Sequence, residues 1–404
     1  MCGISGIVDI RERRPVNQDL VRAMNDTLVH RGPDGEGFHF EPGVGFGHRR
    51  LSIIDLEGGK QPLYNEDETV VVTYNGEIYN FQALAEELKR AGHVFRTHCD
   101  TEVIVHAWEE WGEDCLERFN GMFAFALWDR NRQTLFLARD RLGIKPLHYA
   151  ILDDGHVLFG SEIKALLEHP DLPRKLDPRS VEDYFTFGYV PEPRSIYQSV
   201  QKLEPGTSLW IRRGRSIPSP RRYWDVALDE PSQAGAEATI QAELRASLKQ
   251  AVSRRLIADV PLGAFLSGGI DSSAVVAMMR ELEADPLLTC SIGFKESRYD
   301  ESRYADMVAR AKKTDHKKEI VEASDYGLLD KLVSLYDEPY ADSSAIPTYR
   351  VCELARKYVT VALSGDGGEE NSIGYRRYRL YNMEARLRSL VPGGIRRPLF
   401  GFLG

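Results

Sequence analysis

The chain begins Met1-Cys2-Gly3-Ile4-Ser5-Gly6, and Cys2 is the most informative residue of the whole sequence. Removal of the initiator methionine leaves this cysteine with both a thiol and a free α-amine. The unperturbed pKa values of the two groups, about 8.5 and about 7.7–8.0, allow proton exchange near neutral pH. An N-terminal amine can serve as general base for its own side-chain nucleophile, so Cys2 combines nucleophile and base in one residue.

Composition limits the classes of protein to consider. A chain of 404 residues predicts two or three domains, and 42% hydrophobic residues suffice for large cores. The net charge of −9 and the lack of Lys/Arg-rich blocks argue against nucleic-acid binding. The five cysteines are widely spread and include no Cys-x-x-Cys pair, a pattern that fits a reducing compartment and neither a disulfide framework nor a zinc site. Without signal-like charge polarity or an apolar run of about 20 residues, the sequence predicts a cytoplasmic protein that does not bind membranes.

Residues 2–205 have the pattern of a β-rich domain with two clear helices. Apolar spacing predicts a helix over 81–91 that Gly92 ends, and Asp100 is placed to cap a second helix that runs to Trp111. Val70 to Tyr74 predicts a strand entering a turn at Asn75-Gly76. The runs 123–128 and 135–138 predict a hairpin.

Proline-rich sequence then predicts a linker over 206–235, and the pattern changes in the second domain, residues 236–404. A helix over 240–257 precedes the apolar run 260–266, a Ser-Gly-Gly loop and a helix over 272–282. Short apolar strands follow at 288–294 and 359–363. Alternating strands and helices predict an α/β parallel sheet with helices on both faces.

Several polar residues of the first half match the chemistry that a free glutamine requires. Its α-carboxylate needs a guanidinium, for which Arg50 is the candidate, and its α-ammonium needs carboxylates, for which Glu77 and Asp100 are candidates. The tetrahedral intermediate needs donors aimed at its oxyanion, and the Asn75 amide and Gly76 N–H can supply them. Each feature alone has an ordinary explanation: Asn-Gly is a common hairpin turn, and a lone arginine is usually a surface ion-pair residue.

The ordered combination of motifs is far more specific. The motifs are Met-Cys-Gly-Ile-x-Gly at 1–6, His-Arg-Gly-Pro-Asp-Gly at 30–35, Arg-Leu-Ser-Ile at 50–53, Tyr-Asn-Gly-Glu-Ile-Tyr-Asn at 74–80, Asp-Thr-Glu at 100–102, and the stretches 139–147 and 161–166. Together they resemble the class II glutamine amidotransferase domain, an α+β N-terminal-nucleophile hydrolase. The resemblance implies an αββα sandwich that releases ammonia from glutamine. It assigns Cys2, Asn75 and Gly76 to catalysis and adds Ile53 to the glutamine-binding residues Arg50, Asn75, Glu77 and Asp100.

The second half carries Leu266-Ser267-Gly268-Gly269-Ile270-Asp271-Ser272-Ser273 between a strand and a helix. Glycines and a helix N-terminus suit phosphate, and a carboxylate suits Mg²⁺ that bridges it. The motif lacks the Gly-Lys-Ser/Thr of a Walker loop and resembles the PP-loop of ATP pyrophosphatases. This resemblance implies Mg²⁺ ligation by Asp271 and Glu369, a catalytic role for Asp366, and ATP binding by Leu266, Ser267, Gly268, Gly269, Asp271, Ser272, Ile292, Ser364 and Gly365.

The order of the two halves resembles the glutamine-hydrolysing asparagine synthetase family. The implied reaction uses ATP to adenylate a carboxylate, most simply that of aspartate, and ammonia from glutamine to displace AMP. Residues 184–194 are similar to members linked to bacterial exopolysaccharide and protein-sorting loci, so a different acceptor stays open, as do a glutaminase alone, a non-catalytic sensor and a homodimer. Glu369 stands where this family has aspartate. The apolar ending, residues 399–404, predicts a core element cut short in a C-terminally truncated synthetase domain.

Overall fold

The computed structural model describes residues 1–227, 235–282, 286–296, 298, 300–321, 326–372 and 374–390. The chain forms two compact units: residues 1–261 with 324–349, and residues 262–323 with 350–404. The apolar ending, residues 399–404, and residues 228–234 of the predicted linker lie outside the described residues.

Two six-stranded antiparallel sheets form the centre of the first unit. In spatial order, the strands of the first sheet are β10 (Gln201–Lys202), β8 (His148–Ile151), β9 (His156–Gly160), β1 (Gly3–Asp9), β3 (Val44–Arg50) and β2 (Gly35–Glu41). Those of the second are β12 (Arg221–Arg222), β11 (Thr207–Arg212), β7 (Thr134–Arg139), β6 (Gly121–Asp129), β5 (Val70–Ile78) and β4 (Leu63–Tyr64).

Helices cover the outer face of each sheet. The helices α1 (Gln18–Asp26) and α5 (Ile163–Leu167) pack on the first sheet, and α2 (Phe81–Ala91) and α3 (Thr101–Trp111) belong to the core beside the second. The other α-helices among the described residues are α4 (Cys115–Arg118), α6 (Pro178–Phe187), α7 (Glu237–Arg254), α8 (Ile270–Glu281), α9 (Ser302–Lys312), α10 (Leu329–Leu335), α11 (Ala345–Arg356), α12 (Gly368–Ser372) and α13 (Arg376–Leu390).

Side-chain alternation along the central strands explains the four layers. In β5, Val70, Val72 and Tyr74 face the helical core, whereas Val71 lies in the core between the sheets. Because successive side chains of a strand point to opposite faces, a strand that is apolar on both faces needs a packed layer on each side. The predicted αββα sandwich is confirmed.

Local predictions in this unit were accurate for the helices and wrong at one turn. The helix over 81–91 has the predicted bounds, and Gly92 ends it with a φ of +110°. The 123–128 and 135–138 hairpin is present as β6 and β7. The predicted turn at Asn75-Gly76 is wrong, because β5 continues through both residues to Ile78 and pairs with β6 throughout.

The predicted linker also requires a correction at its start. Residues 207–212 form β11, which pairs with β7 and adds buried side chains to the core between the sheets. Their alternating burial is that of a half-buried strand, and the proline-rich stretch that follows hid this pattern. The sheet therefore extends past residue 205.

The second unit contains a four-stranded parallel sheet, as predicted. Its strands, in spatial order, are β15 (Asp315–Val321), β14 (Leu288–Phe294), β13 (Leu262–Phe265) and β16 (Val361–Leu363). The Ser-Gly-Gly loop leads from β13 into α8, and the segment after β16 begins with Ser364. Parallel strands place both loops at the carboxyl edge of the sheet, where open α/β sheets bind ligands.

Candidate active sites

Cys2 lies at the head of β1, between β9 and β3 near the middle of its sheet. Its Sγ accepts the Leu51 N–H at 3.4 Å and lies 3.7 Å from the Leu51 carbonyl oxygen. Burial raises the pKa of the Cys2 thiol, while the backbone N–H of Leu51, the chain's terminal amine and Arg50 lower it. A thiol of raised pKa requires a nearby base to form its thiolate, which is the role that a free α-amine on Cys2 would fill.

A network of charged side chains fixes the backbone of Cys2. Arg31 donates from Nε to the Cys2 carbonyl oxygen at 2.9 Å and from Nη1 to Glu162 at 2.7 Å. Glu162 also pairs with His30 at 3.0 Å and with Lys164 at 2.6 Å. Burial alone would raise the pKa of Glu162, but hydrogen bonds from His30, Arg31 and Lys164 and the charge of Arg31 lower it to about 2. Arg31 of the His-Arg-Gly-Pro-Asp-Gly motif therefore holds the Cys2 backbone in place, and Glu162 links Arg31 to His30 of the same motif.

The two predicted oxyanion donors lie in the interior of β5. Asn75 is buried, and its Nδ2 has no hydrogen-bond partner. A Cβ on Gly76 would approach the Met122 carbonyl oxygen to 2.3 Å, so only glycine fits there. Since buried polar groups are nearly always hydrogen-bonded, an unpartnered amide at this position is what a donor awaiting an oxyanion would show.

The two predicted ammonium-binding carboxylates, Glu77 and Asp100, lie close enough for their charges to repel each other. Burial raises the pKa of Glu77 to about 7, and the neighbouring Asp100 contributes to the increase. Burial likewise raises the pKa of Asp100, whose Oδ2 accepts the Tyr74 hydroxyl at 2.7 Å and the Ile78 N–H at 2.9 Å. Asp100 precedes α3 as predicted, but its carboxylate does not cap the helix, because these two donors already hold it.

Arg50 and Ile53 lie at and just after the end of β3. The Arg50 guanidinium is buried and donates to the carbonyl oxygens of residues 54, 55 and 56 at 3.2, 2.6 and 2.8 Å. Arg50 therefore shapes the loop that carries Ile53, and Asp259 fixes the same loop by donating its N–H to the Ile53 carbonyl at 2.8 Å. A guanidinium has five N–H donors, so three hydrogen bonds to the backbone leave two donors for a further acceptor.

Lys145 belongs to this site, although no residue-type argument identified it. It is only 4% exposed, and burial lowers the pKa of its ammonium to about 8, with further influence from Arg31, Glu77 and Cys2. Its backbone N–H donates to the buried Asp140. No neighbouring residue signals this burial, because Ile144 beside it is 51% exposed.

In the second unit, the Ser-Gly-Gly loop has the compact geometry that phosphate binding requires. Gly268 has a φ of +88°, and a Cβ there would approach the backbone N of Ala305 to 2.5 Å. The hydroxyl groups of Ser267 and Ser272 lie 3.0 Å apart, and Ser267 Oγ accepts the Gly269 N–H at 3.2 Å. Leu266 is buried at the end of β13, and Ile292 is half-buried on β14.

The segment after β16 packs directly against this loop. A Cβ on Gly365 would come within 2.6 Å of the Ser272 N, and one on Gly368 within 2.4 Å of the Asp271 carboxylate carbon. Ser364 donates its hydroxyl to Asp366 at 3.0 Å. Glu369 is exposed at the start of α12, one residue beyond the contact with Asp271. The structure thus brings the two predicted ATP-binding segments together.

Cys2 at the head of a central strand, within two sheets flanked by helical layers, has the position expected of a class II glutamine amidotransferase cysteine once Met1 is removed. Comparison with known proteins gives the same class: a glutamine amidotransferase domain model matches residues 1–224, and an asparagine synthase model matches residues 243–400. The chain belongs to the glutamine-hydrolysing asparagine synthetase family.

Two curated relatives illustrate the similarity. "Asparagine synthetase [glutamine-hydrolyzing] 1" of Bacillus subtilis (strain 168) is 38% identical over 99% of this chain and 62% of its own length. "Putative asparagine synthetase [glutamine-hydrolyzing] 2" of Methanocaldococcus jannaschii is 40% identical over 93% of this chain and 76% of its own length. The chain thus spans about three-fifths to three-quarters of these relatives. Among the described helices, none has the length and apolar character needed to cross a membrane.

Proposed function

We propose that the protein is a glutamine-dependent amide-forming ligase, with glutamine hydrolysed in the first unit and a carboxylate adenylated by ATP in the second. The unpartnered Asn75 amide beside Gly76 is the observation that carries the glutaminase half. The relatives' names and the asparagine synthase match favour aspartate as the acceptor and asparagine as the product.

The residues of the first unit support a defined division of labour. The α-amine of Cys2 takes the proton of its own thiol, and Sγ attacks the amide carbon of glutamine. Asn75 Nδ2 and the Gly76 N–H donate to the resulting oxyanion. Glu77 and Asp100 bind the α-ammonium of glutamine, and the N–H groups left free on Arg50 bind its α-carboxylate. Ammonia leaves, and water releases glutamate from the thioester.

Lys145 supplies a buried positive charge near this reaction. Its side chain and the Cys2 thiolate would stabilise each other, because opposite charges interact strongly where solvent is excluded. This contribution opposes the burial that raises the pKa of the thiol.

The residues of the second unit fit a magnesium–nucleotide complex. The loop that carries Gly268 presents backbone N–H groups and hydroxyls to phosphate, and Asp271 lies where the two loops meet. Asp271 and Glu369 would hold Mg²⁺, which offsets the charge of the phosphates when bound. The resemblance gives Asp366 a role in the transfer of the adenylyl group. Ammonia from the first unit then attacks the acyl-adenylate, forming the amide bond and releasing AMP.

Isotope transfer tests this function with its alternatives in one experiment. Amide-¹⁵N glutamine, ATP, Mg²⁺ and aspartate are supplied, and label, AMP and pyrophosphate are followed by mass spectrometry. Labelled asparagine with equal AMP supports the ligase. Labelled ammonia without AMP would show that only the glutaminase works with this acceptor. A labelled amide formed from another carboxylate, and not from aspartate, would show that the other carboxylate is the acceptor. No label release would contradict the glutaminase itself.

A further inference from the structure

A second cluster of chemically active side chains lies in the first unit and takes no part in the proposed reaction. It consists of Glu66, His93, His106 and Glu109, and we refer to it as the His/Glu cluster. Glu66 follows β4, His93 follows α2, and His106 and Glu109 lie one turn apart on α3. One ligand atom from each residue can be chosen so that all four lie within 4.8 Å of one another.

The separations within the cluster match those of ligands around a shared ion. The Glu66 carboxylate lies 3.3 Å from Nδ1 of His93 and 3.3 Å from Nδ1 of His106. Glu109 Oε2 lies 3.6 Å from Nδ1 of His106 and 3.9 Å from Nδ1 of His93. Ligands of a tetrahedral Zn²⁺ with bonds of about 2.0–2.2 Å are about 3.3–3.6 Å apart, so small side-chain shifts suffice.

His106 provides a separate reason to expect a ligand. The residue is completely buried, and neither of its ring nitrogens forms a hydrogen bond; Glu109 Oε2 is also unpartnered. A hydrogen bond requires the acceptor to lie along the N–H direction. Around a common ion, each ligand atom instead lies off the axis of the others. The close but misaligned atoms of the cluster therefore fit shared coordination better than direct hydrogen bonding.

The surroundings of the cluster have the pattern of an outer coordination shell. The remaining ring nitrogen of each histidine faces a carboxylate: His106 Nε2 lies 3.6 Å from Glu102, and His93 Nε2 lies 3.5 Å from Glu110. Glu109 accepts from the Asn65 amide on Oε1 at 2.7 Å. Metal-binding histidines commonly have such a carboxylate behind them, and metal-binding carboxylates are themselves hydrogen-bonded.

We propose that Glu66, His93, His106 and Glu109 form a structural binding site for a divalent transition-metal ion, with Zn²⁺ as the preferred occupant. Two imidazoles and two carboxylates suit Zn²⁺ better than Mg²⁺ or Ca²⁺, which favour oxygen ligands. The ion fastens the segments after β4 and α2 to α3, the helix that begins next to Asp100. This site is independent of the proposed reaction.

Zinc titration against a chromophoric chelator tests the site. The Cys2→Ala protein is used throughout, so that the catalytic thiol cannot bind zinc, and excess Mg²⁺ occupies the acidic groups of the second unit. We expect one Zn²⁺ ion to bind tightly per protein chain. Co²⁺ bound in its place should give a visible absorption spectrum with the intensity of tetrahedral coordination. Loss of an outer-shell partner typically weakens metal binding by about 10–100-fold. His93→Gln and Glu109→Gln each remove a direct ligand, so each should weaken Zn²⁺ binding by more than that.

His98→Gln is the matched control, because His98 is an exposed histidine of the same segment and should retain full affinity. Far-UV circular dichroism and gel filtration verify folding, and Glu109→Gln preserves shape if His93→Gln misfolds. The proposal would be overturned if no Zn²⁺ bound tightly, or if both cluster variants bound Zn²⁺ with the affinity of the parent protein. The cluster would then be an ion-paired network with a proton on His106, whose pKa burial lowers but the facing carboxylates raise to about 9.

Discussion

Replacement of Asn75 by alanine is expected to separate the proposed catalytic role of this residue from its effect on stability. Asn75 lies in the middle of β5, and its Nδ2 donates to no group of the folded chain. The alanine variant loses the proposed oxyanion donor without breaking a hydrogen bond made by that nitrogen. The strand pairing with β6 involves only the backbone and is preserved.

The two expected magnitudes differ sharply. Loss of one oxyanion donor lowers kcat by about 10²–10³-fold, or about 2.7–4 kcal/mol of transition-state stabilisation. Removing a buried unsatisfied amide relieves a desolvation penalty of about 1–3 kcal/mol. This gain offsets the destabilisation caused by the cavity that the missing atoms leave. We therefore expect the free energy of unfolding to change by less than about 2 kcal/mol.

Glutamate release from glutamine, coupled to glutamate dehydrogenase, measures kcat, and urea denaturation measures stability. Asn25→Ala is the matched control, since Asn25 is a completely buried asparagine in α1 whose side-chain amide is also unpartnered. The control should keep kcat within about threefold of the parent. An Asn75→Ala protein with near-normal kcat, or with kcat lost in proportion to stability, would refute the assignment.

Three further predictions follow from the two sites. Cys2→Ala should abolish glutamine use but preserve synthesis from added ammonia, and loss of both in the product assay would contradict separate centres. Asp271→Asn should reduce ATP-dependent synthesis by more than about 10²-fold while basal glutamate release continues; undiminished synthesis would exclude the metal role. Because the pKa of Glu77 is raised to about 7 by burial and by Asp100, its carboxylate is protonated below that pH and charged above it. Calorimetric titration of Cys2→Ala with glutamine should show affinity falling up to about tenfold per pH unit below about 7, a slope that Glu77→Gln should lack.

The sequence was most informative where spacing alone determines structure. The apolar face of α2, the glycine that ends it and the β6–β7 hairpin are local features that periodicity and turn residues reveal. The parallel sheet of the second unit was evident from alternating strands and helices for the same reason.

The sequence was misleading where long-range contacts override local preference. Asn75-Gly76 has the composition of a turn, yet pairing with β6 keeps both residues extended in the interior of β5. Asp100 occupies a capping position, but the Tyr74 hydroxyl, 26 residues earlier, holds its carboxylate. Neither contact can be inferred from neighbouring residues.

Burial explains what was missed at the sites. Lys145 is one lysine among many in the sequence, and only the packing around Asp140 shows that it is enclosed near Cys2. The His/Glu cluster joins three segments between residues 66 and 109 and has no spacing motif typical of a metal site.

The transfer of nitrogen from glutamine to a carboxylate is the central claim, and amide-¹⁵N glutamine measures it directly. With ATP, Mg²⁺ and aspartate, the account predicts ¹⁵N-labelled asparagine in amounts equal to the AMP and pyrophosphate formed. Labelled ammonia that accumulates without AMP, for aspartate and for every other carboxylate supplied, would contradict the ligase and leave only the glutaminase.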